Sequence, residues 1–228
     1  MKKIVVFICI FISSNLCFGQ DSIPKTSKWK SNNVVKTNLI GYYRNTFIFS
    51  YERVLEKNGS IMLTYGQGSY TITGKKAEEN VALRTGTGFP CAQKISLKSF
   101  FSLEPRYYIS YKHYRIPAGF HIGPSINFSK GSEVFTSTED IFSKGVNYGT
   151  ETVTTEYKNI SFLINIGPQL LIERIVALDF SVGLGYGKTT GTQQNVYGNN
   201  QQFGSTSDFS FGGFAVALSV SLGIAFGR

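Results

Sequence analysis

Thirteen residues near the C-terminus constrain this chain more than any other stretch. Phe214 to Phe226 reads Phe-Ala-Val-Ala-Leu-Ser-Val-Ser-Leu-Gly-Ile-Ala-Phe. Even positions are large and apolar (Phe214, Val216, Leu218, Val220, Leu222, Ile224, Phe226), and odd positions are small (Ala215, Ala217, Ser219, Ser221, Gly223, Ala225). A period of two marks a strand, because successive side chains point to opposite faces. On a soluble sandwich the second face meets water and carries charge, yet nothing charged interrupts this run. Bulk on one face and Ala, Ser and Gly on the other suit the wall of a closed transmembrane barrel, apolar outside and tightly filled inside. A tilted strand crosses a bilayer in roughly 9–11 residues, and this run is longer. It reads as the closing strand of such a barrel.

The other end of the chain supplies an address. Lys2 and Lys3 precede an apolar run from Ile4 to Ile12, which is too short for a spanning helix of about 20 residues and has the form of a secretory signal. Small residues at Cys17 and Gly19 suit cleavage before Gln20, whereas the bulk of Leu16 disfavours acylation of Cys17. The expected organisation is a signal peptide over 1–19, a disordered periplasmic lead over 20–33 and a barrel over 34–228. In the lead, Asp21-Ser22-Ile23 resembles a short O-glycan acceptor pattern of some Gram-negative exported proteins. With the signal removed, Cys91 is the sole cysteine, so no intrachain disulfide is expected. The formal charge of +9 falls to about +7 on losing Lys2 and Lys3. Basic loops facing lipopolysaccharide or anionic headgroups account for it; scattered cations on an exported chain argue against a nucleic-acid partner.

Period-two patterning recurs along the chain. Strands are predicted over 34–42, 46–54, 60–72, 96–110, 117–129, 158–172, 175–188 and 214–226. Phe47, Phe49 and Tyr51 alternate with Ile48, Ser50 and Glu52, and Asn58-Gly59 supplies a hairpin turn. Val176 to Tyr186 alternates large residues with Ala177, Asp179, Ser181, Gly183 and Gly185. Eight strands are an even number, as single-chain bacterial barrels require. Connectors after the second, fourth and sixth are short, and those at about 73–95, 130–157 and 189–208 are long. The second of these holds alternating Thr and Val and suits a projecting hairpin, and the third reads as flexible solvated chain. Apart from the short first external loop at Arg44-Asn45, this places short turns at one end and long loops at the other, the membrane-barrel arrangement. The fold class is therefore all-β: an eight-stranded antiparallel up-and-down transmembrane β-barrel, expected as a monomer in the cell outer membrane. Pro105, Pro124 and Pro168 fall inside strands and each removes a ladder donor, so bulges are expected at them.

Val35-Lys36-Thr37-Asn38-Leu39, Ser50-Tyr51-Glu52-Arg53, Glu104-Pro105-Arg106-Tyr107-Tyr108 and Gly119-Phe120-His121-Ile122-Gly123-Pro124 resemble blocks of small outer-membrane β-barrel proteins in a domain-of-unknown-function family of Gram-negative bacteria. The resemblance runs over essentially the whole mature chain. It implies the barrel, outer-membrane lipid and lipopolysaccharide around it, and the outer-membrane assembly machinery as partner, and it implies no reaction. Many such barrels end on an aromatic residue; here Gly227-Arg228 follows Phe226.

Side-chain parity sends Lys36, Glu52, Glu104, Arg106 and Asp179 into the lumen, together with polar His121, Asn165 and Gln169. Ionised groups enclosed there need partners, since an uncompensated buried charge costs several kcal/mol. A mutually paired cluster is expected, with Arg106 as hub because its planar fork binds two carboxylates at once. No metal-ligand spacing, cofactor motif or catalytic set is present, so neither an enzyme nor a cofactor is expected. His121 and Ser125 share a face but lie about 13 Å apart along a strand, too far for a base and its nucleophile. Three functional readings follow: a non-catalytic structural or surface-interaction barrel, a narrow channel or lateral conduit for small hydrophobic molecules, and a lipid A-modifying hydrolase. The first is favoured, because eight strands leave an interior that side chains fill.

Overall fold

The structure, a computed structural model, describes residues 32–43, 45–55, 58–73, 91–109, 117–137, 142–143, 146–147, 151–173, 175–197 and 203–227. The expected signal peptide and nearly all of the lead lie outside the described residues. The elements in order are β1 (Asn33–Asn38), α1 (Leu39–Tyr43), β2 (Thr46–Val54), β3 (Gly59–Thr73), β4 (Cys91–Ile109), β5 (Gly119–Ser137), β6 (Phe142–Ser143), β7 (Val146–Asn147), β8 (Glu151–Ile172), β9 (Val176–Tyr197) and β10 (Phe203–Phe226). β6 and β7 form a small separate ribbon. The other eight strands close into one antiparallel barrel in the order β1-β10-β9-β8-β5-β4-β3-β2. It is the up-and-down barrel expected from the alternation.

Barrel walls alternate as the sequence does. Inward positions are small or polar and buried, such as Ser50, Thr64, Ser102, Ser125, Ser161 and Ser181. Outward positions are large, apolar and exposed along all the long strands, among them Phe49, Phe101, Phe128, Phe162, Val216 and Ile224. Among the described residues one small apolar cluster joins Val34, Ala177 and Ala225, with Leu171 packed against them, and Met62, Phe135, Val153 and Leu163 are buried elsewhere.

Three expectations are corrected. The first strand stops at Asn38 instead of Tyr42, because Asn38 caps a helical turn: its side-chain Oδ1 accepts from the Gly41 backbone N–H at 3.0 Å. Long loops are shorter than their polarity suggests. β5 and β8 stay paired from Gly131↔Tyr157 to Thr136↔Thr152, and β9 and β10 from Thr189↔Phe211 to Tyr197↔Phe203. Polar stretches there stand as ladder, with Cys91 as the first residue of β4. Thr, Tyr and Val at those positions favour strand, and ladder bonds do not require an apolar face.

Prolines do not create bulges. Register is unbroken from Leu103↔Ile126 to Tyr107↔Ile122, which sets Pro105 opposite Pro124 with ladder pairs missing between. Each proline keeps its place against the other neighbour, at Ile61↔Pro105 and Pro124↔Ile164. Pro168 behaves alike: the β8–β9 ladder skips it while Phe120↔Pro168 holds on the β5 side. Gly123 and Gly167 beside these gaps let the strands close in, since a Cβ there would strike the carbonyl oxygen of Pro105 or Phe180. The register shifts fall instead at Gly66/Gly68 and Leu97/Ser99.

Candidate functional site: the lumen ion network and the chamber above it

Lys36 on β1, Glu52 on β2, Glu104 and Arg106 on β4, and Asp179 on β9 all lie inside the barrel, none more than 4 % exposed. The structure brings all five together. Arg106 donates from Nε to Glu104 Oε1 and from Nη1 to Asp179 Oδ2, each at 2.6 Å, and its Nη1 lies 3.8 Å from Glu52 Oε2. It therefore joins two carboxylates through one rigid fork. Lys36 is a second hub. Its Nζ donates to Asp179 Oδ2 at 2.6 Å and to Gln169 Oε1 at 2.5 Å, and it forms an ion pair with Glu52 Oε2 at 2.6 Å, an oxygen that accepts no hydrogen bond among the described residues.

Neutral groups complete the shell. Tyr108 donates to Glu52 Oε1 at 2.5 Å and Ser60 donates to the same oxygen at 2.6 Å. Asn165 donates to Glu104 Oε2 at 2.8 Å. Gln169 donates from Nε2 to the Pro117 carbonyl at 2.6 Å, tying the network to the buried Pro117 at the start of β5. His121 Nε2 lies 3.1 Å from Asp179 Oδ1, and the ring meets Tyr108 edge-on at 5.7 Å. Its Nδ1 is buried and has no hydrogen-bond partner among the described residues. Ser125, the other half of the weighed His–Ser pair, instead accepts from Asn127 at 3.2 Å.

Parity located the charged members, but Ser60 and Pro117 escaped it. β3 alternates weakly in its sequence, which hides Ser60, and Pro117 meets the network through its backbone carbonyl, which side-chain parity does not place. Tyr108 and Gln169 had the right parity, but nothing in parity indicates which groups meet across the lumen.

The network fills the barrel near its short-turn end. Above it, toward the long-loop end, lies a cavity of about 420 Å³ whose lining includes Glu104, Arg106 and Asp179 together with Ser102, Asn165 and Ser219. Among the described residues, no group of three or more His, Cys, Asp and Glu side chains is placed to hold a metal ion. What the site offers chemically is a set of fixed charges and hydroxyls, two of which, on Ser60 and Tyr108, already donate to Glu52. Comparison with family models, with curated proteins and with solved structures finds no match to this chain.

Proposed function

We propose that this chain is an integral outer-membrane β-barrel, non-catalytic and stoppered, whose role is exercised through its surface and not through a water-filled pore. The observation that carries the reading is the order on the outer wall. Phe49, Tyr65, Phe101 and Phe128 stand directly opposite one another on four successive strands, all more than 40 % exposed. Phe162, Tyr186 and Phe214 form a second directly opposed row on three more, set one outward position nearer the short-turn end, since Phe162 faces Ile126 and Phe128 faces Ile160. One or two outward positions beyond these rows, toward the long-loop end, stand Lys130, Lys158 and Lys188. Lys130 and Lys158 are a directly opposed like-charge pair, and the Glu156 carboxylate interacts with Lys130. Aromatic girdle and cationic rim together match a barrel set between acyl chains and anionic headgroups. Phe214 to Phe226 at about 3.3 Å per residue and about 45° of tilt rises roughly 28 Å, close to the ~25 Å apolar band of such barrels.

The absence of a long apolar helix among the described residues is neutral on this point, since barrels cross with strands. The lumen network supports a stopper, because salt-bridged groups fill the cross-section. Two measurements test the reading together. Unboiled protein should migrate differently from boiled protein on a detergent gel, and planar bilayers holding it should show no steady current. Identical migration with release by carbonate washing would remove the membrane placement; a steady ohmic current would remove the stopper. A lateral route into the lumen is a second reading, favoured by the short pairing of β1 with β10.

A further inference from the structure

Among the described residues the barrel wall has a gap. β1 pairs with β10 only from Phe226 down to Ser221, whereas β10 continues to Phe203 and is paired on its β9 side throughout. From Val220 onward one edge of β10 has no strand partner among the described residues. Among the described residues only the five-residue α1 stands between that edge and β2, lying close to both. Asn38 fixes the lower border, donating to Ser219 Oγ at 2.9 Å. The cavity above the ion network ends at this gap: its lining takes in Ala215 and Ala217 from the inner face of β10 and also Val216 and Leu218 from the outer face. Both outer residues are more than 60 % exposed. A cavity lined by both faces of one strand opens through the wall at that strand. The opening lies within the apolar band, since Phe214, Val216 and Leu218 belong to it.

The floor has a definite charge. Lys36 and Arg106 contribute two positive charges, and Glu52, Glu104 and Asp179 three negative ones, a formal balance of −1. Glu104 and Asp179 both face the cavity. Its volume lies within the roughly 300–1,000 Å³ typical of small-molecule sites.

We infer that the chamber is a side-entry binding site for a single-chain amphiphile with an ammonium head, the head on Glu104 and Asp179 and the tail leaving past Ala217 between β10 and α1. This rests on the membrane placement proposed above. The head could belong to a membrane-borne amine or to a small soluble one, so both are tested.

The full folded chain in maltoside micelles is titrated with dodecylamine, dodecanol, dodecanoate and butylamine, with binding read by calorimetry and native mass spectrometry. Dodecylamine should bind at one site, at least tenfold more tightly than dodecanol or dodecanoate. Butylamine, lacking the tail, should be at least tenfold weaker than dodecylamine; equal affinity would show a soluble-amine site and overturn the side entry. Ala217→Trp fills the chamber without touching the ion network and should weaken dodecylamine at least tenfold with the heat-modifiable gel shift intact. Glu104→Gln should weaken dodecylamine about tenfold and leave dodecanol unchanged. Equal affinity for dodecanoate, or an Ala217→Trp variant that binds like wild type, would overturn the proposal. Failure of the membrane placement would appear separately, as a chain that stays soluble and unshifted without detergent.

Discussion

Arg106→Ala is the sharpest perturbation of the lumen. In wild type the guanidinium holds Glu104 and Asp179 at 2.6 Å and approaches Glu52. Without it, Glu104 keeps only Asn165 on Oε2, Asp179 keeps Lys36 and His121, and the five-group balance moves from −1 to −2. Breaking a buried pair by removing one partner typically costs about 3–5 kcal/mol, because the surviving charge stays buried without its counter-ion. The expected loss is in that range. It is measured by urea titration of the barrel refolded in lipid vesicles, followed by far-UV circular dichroism and by the unboiled gel band, with linear extrapolation to water. Tryptophan emission is a poor probe, since the one Trp, Trp29, precedes the barrel. Adding Glu104→Gln to Arg106→Ala should restore part of the loss, whereas Glu104→Gln alone should destabilise; contact pairs show coupling of about 0.5–3 kcal/mol. A loss below about 1 kcal/mol, or strict additivity of the two changes, would refute a buried, charge-coupled stopper.

Asn38→Ala should lower stability by about 1–2 kcal/mol, since it removes both the cap of α1 and the tie to Ser219; Asn38→Asp, which keeps the cap, should lose less in the same urea titration. Gly167→Ala should cost about 1–3 kcal/mol or more, because the new methyl would meet the Phe180 carbonyl oxygen and force β8 and β9 apart beside Pro168; an unchanged urea midpoint would contradict the close approach. On the outer wall Lys98 donates to Glu156 at 2.6 Å and holds its carboxyl below the ordinary value of 4.5. Any stabilisation from that bridge is therefore present above about pH 4.5 and lost as pH falls through the lowered value. Both side chains are well exposed, so Glu156→Gln should leave the urea midpoint unmoved at pH 7, and a clear drop would mean the pair is shielded.

Much of this architecture is written in the chain as parity. In a strand the side chain's face depends only on whether its position is odd or even, so β2 could be bounded at Thr46 and Val54 from its residues alone. The same rule sent Lys36, Glu52, Glu104, Arg106, Asp179, His121, Asn165 and Gln169 to the inside before any partner was known. The number of strands and the end that carries the short turns followed from the same alternation and from punctuation such as Asn58-Gly59. Parity is local, and that is its limit. Which inward groups meet depends on how far each strand slides against the next when the sheet closes. Only the closed barrel therefore sets Lys36 beside Asp179 across 143 positions of chain and makes it a hub equal to Arg106. The reach of β4, β5, β8, β9 and β10 beyond the apolar band, and the continuous register past the prolines, were likewise fixed by ladder bonds to neighbours, which composition does not report. The gap in the wall belongs to the tertiary structure most completely. It exists because a cap at Asn38 ends β1 after six residues while β10 runs for twenty-four, and the mismatch appears only when the two strands lie side by side.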